Sequence, residues 1–361
     1  MIFTILIAFF SLFALIILHE LGHFLVARKF GVKVEEFGVG LPPRLLGKKV
    51  GETIYSLNLL PFGAFVKIEG EEGETKSERS FGAKPVWQRA LIVLAGVVSF
   101  WLVSAIIFSF MVATSGIPSA VSDEEENINN PKVQIIAVAP DSPAEAAGIK
   151  LGDSILKGKS QKAKVQITKV KEVQEFTAAH PGEEIILTIQ RGKETFDVSL
   201  TPRESPPEGQ GAMGVGLARV AQISYPWYKA PLQGVLITGK VTVGIIEGFG
   251  RIFSDLISKR EMPPGAQVVG PIGIFGEMSN AFNLGINYFL YFISVISIYL
   301  AIFNILPVPA LDGGKLLFLG IEKIKGSPVN PKIEQKITAA FFVILIALMI
   351  LVSIKDVAKI F

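Results

Sequence analysis

Residues 2–18 contain nothing more polar than Thr4 and Ser11, and three later stretches, 90–112, 288–306 and 338–354, are nearly as apolar. These runs constrain the chain more than any motif. Each is long enough to cross about 30 Å of hydrocarbon at about 1.5 Å per residue. In that solvent every backbone amide must find its partner inside the protein, so each run is expected to be a helix. The first run, Ile2 to Ala27, lacks a basic n-region and a small-residue cleavage site, so it is expected to stay as a span rather than leave as a signal peptide.

Composition agrees with this reading. Hydrophobic residues make up 50% of the chain and charged residues 19%, with a mean hydropathy of +0.49. That balance excludes disorder, coiled coil and fibrous repeats, and is too apolar for an ordinary soluble enzyme. The 35 Lys and Arg nearly cancel the 32 Asp and Glu, leaving +3 and no reason to expect a nucleic-acid partner. Without cysteine there is no disulfide, thiolate nucleophile, Cys-ligated zinc or iron–sulfur cluster. With three histidines, any imidazole metal site is nearly enumerated in advance.

Basic residues near the span ends set the expected direction. Ten Lys and Arg lie between Arg28 and Gln88, and Lys315, Lys323, Lys325, Lys332 and Lys336 fill the loop from Pro307 to Ile337. Residues 113–131 and 264–287, which flank the large middle region, contain none. The basic loops, with Glu69 to Ser80 and Glu322 to Asn330, are therefore expected in the cytoplasm. The middle region, with Asn129 and His180, and both termini are expected outside.

The middle region is an insertion. Ser122 to Pro131 is a polar linker, and from Lys132 short apolar runs alternate with turns, reading as small strands around a short helix at 143–147 that Gly148 stops. Residues 202–216 are rich in Pro and Gly. Residues 231–258 are apolar but interrupted by Lys240, Glu247, Arg251 and Asp255. A fifth span there would reverse everything downstream, so an interfacial helix is expected.

His19, Glu20 and His23 form H-E-x-x-H inside the first span. On a helix, residues four apart differ by about 40°, so both imidazoles share a side, while Glu20 is turned about 100° from His19. Ionisable groups are costly within a membrane and need partners, which favours a metal over a structural cluster. Two histidines leave zinc short of a ligand. His180, in AAHPGEE, reads as an exposed turn residue on the other side. Asp312 is the one acid between Glu277 and Glu322, follows Pro307 and Pro309, and precedes two glycines suited to a tight turn. Two His and one Asp leave a position for water, the catalytic arrangement. Zinc would then acidify that water and polarise a peptide carbonyl, with Glu20 as proton carrier. Asn304 is either an oxyanion donor or a structural amide beside the broken helix. The strand-like stretches 34–39 and 52–67 form either a hairpin whose edge holds unwound substrate or an interfacial sheet without that role. A catalytically silent scaffold is the alternative from another class, and a transporter a weaker one, as no repeated half is present.

HELGH at 19–23 and NILPVPALDGG at 304–314 together resemble the paired signatures of the site-2 proteases, the intramembrane zinc metalloprotease family, specifically bacterial regulators with one inserted PDZ domain. The resemblance implies one zinc ion held by His19, His23 and Asp312, catalysis by Glu20, and substrate handling by Asn304, Pro307 and Pro309. Residues 34–67 resemble that family's membrane-associated β hairpin, and VGPIGI at 269–274 the segment before its third span. Residues 132–203 are similar to a PDZ module, although Lys157 to Lys164 replaces the usual Asn-Gly turn, and GVGL at 214–217 fits its closing strand. Phe100 stands where relatives often have Asn; zinc binding is expected to survive that change. The implied substrates are single-span membrane proteins already cut outside, such as anti-sigma factors or signal-peptide remnants, in regulated intramembrane proteolysis at the bacterial inner membrane.

The expected fold is thus a polytopic α-helical membrane protein with four spans, a membrane-associated β hairpin and an inserted external PDZ-like β-rich domain. Residues 1–113 and 264–361 would form the membrane domain, 132–217 the PDZ-like domain and 231–258 the interfacial helix.

Overall fold

The computed structural model describes residues 2–71, 77–126, 128, 130–160, 163–192, 194–207, 209–258 and 269–360. Asn129, residues 264–268 and parts of the 69–80 and 157–164 stretches therefore lie outside the described residues. In chain order the elements are α1 (Ile2–Lys29), β1 (Val34–Val50), β2 (Thr53–Ile68), α2 (Val86–Thr114), β3 (Ile117–Ala120), β4 (Lys132–Val138), α3 (Pro143–Ala146), β5 (Ser154–Lys159), β6 (Lys164–Gln166) and α4 (Val170–Ala178). They continue with β7 (Ile185–Arg191), β8 (Glu194–Leu200), β9 (Val215–Ile223), α5 (Ala230–Ser258), α6 (Pro271–Leu284), α7 (Ile286–Ile305), α8 (Asp312–Lys325) and α9 (Pro331–Ile360).

The apolar runs are helices, and the chain is a multi-pass membrane protein. Large apolar side chains such as Phe10, Leu102, Ile106, Phe110, Val343 and Leu351 stand exposed along them. In water that surface would cost about 25 cal/mol per Å², whereas lipid accepts it. Small residues let the helices approach. A Cβ on Gly22 of α1 would strike the Ala95 carbonyl of α2, and the Ser297 hydroxyl of α7 donates to the Phe100 carbonyl at 2.8 Å. The rings of Phe108 and Tyr291 meet 5.7 Å apart. The 100–297 and 108–291 contacts make α2 and α7 antiparallel.

Sequence reading counts four segments of spanning length; the structure has five such helices among the described residues, α5 being the fifth. Tyr225, just before it, donates its N–H to the Val112 carbonyl at the end of α2. From there α5 runs back along α2: Gly234 abuts Ala105 and Ser109, and the Trp101 indole donates to Thr242 at 3.2 Å. Further on, Phe249 packs against Tyr299 and Phe303 of α7. The four charges that break its hydropathy explain the difference. At about 100° per residue, Lys240, Glu247, Arg251 and Asp255 fall within one stripe of about 80°.

The expected single hairpin is more elaborate, because β1 and β2 each fold over. Residues 34–39 pair with 64–68 on one side and, over 36–39, with 54–57 on the other, while 44–50 pair with 53–58. Four antiparallel segments result, bent where Gly40 and Gly63 adopt φ of 81° and 86°. This sheet packs on α1, with Phe24 against Phe37 and Tyr55. Beyond it, Lys33 pairs with Glu69 at 2.8 Å and Ser77 donates to the same carboxylate, so Lys33 first and Ser77 second hold Glu69 below the usual carboxylate range.

The separate β-rich unit is a seven-stranded sheet in the order β3-β9-β4-β5-β7-β8, with β6 on β5. Its core gathers Val133, Ile135, Ile155, Val173, Leu187 and Ile189. The turns at Gly152 and Gly192 rest on Leu284 and Asn283, and Gln134 donates to the Tyr288 hydroxyl at 3.2 Å. The unit therefore sits at the start of α7, about 30 Å of helix from its far end. His180 corrects the expectation of an exposed residue. It is buried, its Nδ1 meets the Phe176 carbonyl at 2.8 Å, and its ring packs on Phe176.

Candidate metal centre

The H-E-x-x-H helix and the LDGG turn converge. His19 and His23 project from the same side of α1, their Nε2 atoms 3.2 Å apart. Asp312 opens α8, where the positive end of the helix dipole favours a carboxylate. Its Oδ2 lies 3.4 Å from His19 Nε2 and 3.6 Å from His23 Nε2. The chain reaches this point because α7 stops at Leu306 before Pro307, and the turn through Val308 and Leu311 folds α8 back. A Cβ on Gly313 would strike the Ile305 and Leu306 carbonyls, and one on Gly314 the Val308 carbonyl. Both glycines sit at the start of α8, so close approach, rather than the expected tight turn, requires them.

The donor set fits a metal. Separations of 3.2, 3.4 and 3.6 Å match the edge of a tetrahedron, about 3.4 Å for ligand bonds of about 2.1 Å. Asp312 Oδ2 and His19 Nδ1 are buried with no hydrogen-bond partner, and the carboxylate oxygen is directed at both imidazoles. An acceptor so placed is costly unless positive charge, a metal ion or an imidazolium, sits beside it. His23 has the usual outer restraint, its Nδ1 lying 2.9 Å from the Ile92 carbonyl, which points Nε2 at the cluster. On α2, Gly96 cradles the pair, since a Cβ there would strike His23 Nε2 and the His19 ring edge.

Glu20 stands beside the cluster and outside it, near His23, Asp312 and Glu71, with the Val66 N–H directed at its carboxylate. Residues 63–68 thus border the site. Asn304 uses one amide N–H on the Leu300 carbonyl at 2.8 Å, a bond within its own helix. His180 is in the β-rich unit, well away from the cluster.

Several residues that position the site were not singled out in the sequence. Gly22 and Gly96 bring α1 and α2 together. Arg89, buried on α2, forms a partly buried ion pair with Glu322 of α8 and lies over the Phe81 ring. Lys315 bonds the Glu71 carbonyl and Glu334, each at 2.9 Å, tying α8 to the segment after β2 and to α9. Phe100, noted only as a departure, stacks on the His19 ring with centroids 4.7 Å apart and 14° between planes.

Comparison with known proteins points to a peptidase family. The profile of peptidase family M50 matches residues 7–348. The chain belongs to that family. A candidate zinc metalloprotease of Clostridium perfringens is 35% identical over 356 residues, covering 95% of each chain. One of Nostoc is 31% identical over 98% of this chain and 95% of its own. The zinc metalloprotease RasP of Geobacillus kaustophilus is 27% identical over 96% of both. Family membership and the His/His/Asp cluster together support a zinc-dependent hydrolase working within a membrane protein.

Proposed function

We propose that this chain is a zinc-dependent intramembrane endopeptidase, cutting membrane-spanning substrates in regulated intramembrane proteolysis. The observation that carries the reading is the meeting of His19, His23 and Asp312 inside an apolar helical bundle. These three residues would hold one zinc ion, which when bound supplies Lewis-acid polarisation of the scissile carbonyl and acidifies water. Glu20 takes the proton of the attacking water and delivers it to the leaving amine, while the Val66 N–H orients its carboxylate. Asn304, released from Leu300, would face substrate or the developing oxyanion, and Pro307 and Pro309 keep the backbone beside it unwound. Residues 63–68 offer an extended edge on which unwound substrate can add as a strand.

In this reading the substrates are single-span proteins already trimmed outside, anti-sigma factors or signal-peptide remnants among them, embedded in membrane lipid. The protein sits in the bacterial inner membrane with the metal centre toward the cytoplasm. The β-rich unit is a PDZ-like domain on the external side, and both termini are external, with α1, α2, α7 and α9 as the crossings and α5 packed along α2 and α7 without adding one.

The test is cleavage of a single-span reporter by purified protein in detergent. Wild-type protein should cut and Glu20→Gln should not, a loss of at least about 100-fold for a missing general base. Equal cleavage by both would defeat the mechanism.

A further inference from the structure

The two ligand histidines are held differently. His23 is restrained through Nδ1 by the Ile92 carbonyl at 2.9 Å. His19 Nδ1 is buried and makes no hydrogen bond of good geometry; it faces the Gly96 carbonyl, a weak contact shared with the Ser99 hydroxyl, which donates to the same oxygen at 2.6 Å. The χ2 torsion of a histidine is broad and roughly two-fold, so an imidazole with only that weak contact needs another restraint if Nε2 is to point at a metal. Phe100 supplies a surface for one. It is 2% exposed, and its ring is nearly parallel to the imidazole, 4.7 Å away at 14°. That separation lies within the range of offset aromatic stacking. Phe100 is itself fixed from behind, because its carbonyl accepts the Ser297 hydroxyl of α7 at 2.8 Å. Gly96 and Phe100 are four residues apart on α2, as His19 and His23 are on α1, so one α2 face meets one α1 face. Gly96 leaves room for the ring edges, and Phe100 covers the flat side of one.

We infer that Phe100 is a positioning residue of the metal centre: its stack on His19 fixes the imidazole plane, where His23 has a well-formed hydrogen bond and His19 only a weak one. This rests on the zinc reading above. The restraint is geometric, so a side chain of similar volume without a flat face cannot replace it, whereas another six-membered aromatic ring can.

The test measures zinc affinity of the full chain in detergent by chelator competition, together with the visible spectrum of the cobalt-loaded protein. Phe100→Leu should bind zinc about 10- to 100-fold more weakly, the usual effect of removing an outer support, and should alter the cobalt bands. Phe100→Tyr, which keeps the ring, should stay within about threefold of wild type. Phe108→Leu, a change at a fully buried ring on the same helix, should leave both readings unchanged. Wild-type affinity and spectrum in Phe100→Leu would overturn the inference. So would equal loss in Phe100→Leu and Phe100→Tyr, or in Phe108→Leu, since packing alone would then account for the effect. A wild-type protein that binds no zinc would overturn the metal reading itself, and this assignment with it.

Discussion

At the scale of single residues, the centre depends as much on missing side chains as on ligands. Gly96 is the clearest case, because the Cβ of Gly96→Ala would occupy the space of the His23 and His19 rings. Gly96→Ala is expected to lower zinc content or affinity at least about tenfold. Circular dichroism should show its helix content unchanged, since alanine is the better helix former. Full zinc occupancy in that variant would contradict the packing described. That His19, His23 and Asp312 would meet was legible from sequence, since ionisable groups are rare in apolar spans and H-E-x-x-H has one helical geometry. Phe100 was not, because a phenylalanine inside an apolar run gives no sign of its neighbour. His180 was misread for a related reason: AAHPGEE has turn composition, yet the ring is satisfied by the carbonyl four residues back.

At the scale of elements, α8 must be held at both ends for Asp312 to aim correctly. The LDGG turn fixes its start against α7, and the partly buried Arg89–Glu322 pair fixes its last turn against α2. Arg89→Leu leaves the half-buried Glu322 carboxylate unpaired and should cost about 1–3 kcal/mol of stability. It should also cut activity, because α8 would pivot about its first turn; a thermal melt and the reporter assay read the two effects. A melt unchanged within error would show the pair to be incidental. Sequence made α1, α2, α7 and α9 plain through their uninterrupted apolar runs. It hid the length of α5 behind four charges that share one face, and hid the folded-over sheet because register between 34–40 and two partners is decided by bends at Gly40 and Gly63.

At the scale of the whole molecule, the length of α7 separates the β-rich unit from the metal centre, so no side chain of the unit reaches the cluster. If it filters by size, deleting residues 132–203 should increase cutting of a substrate with a long ectodomain, while wild type cuts only the trimmed form well. Loss of cutting of the trimmed substrate, with zinc retained, would instead indicate recruitment. For topology, cysteine at Glu183 should react with a membrane-impermeant reagent on intact cells and cysteine at Lys325 should not, both positions being exposed. The pairing of α1 with α8, elements from opposite ends of the chain, is the claim on which everything else depends. Its most direct measurement is zinc per chain in purified wild-type, Glu20→Gln and Asp312→Ala proteins. One zinc in the first two and almost none in the third is predicted; full zinc in Asp312→Ala would contradict the account.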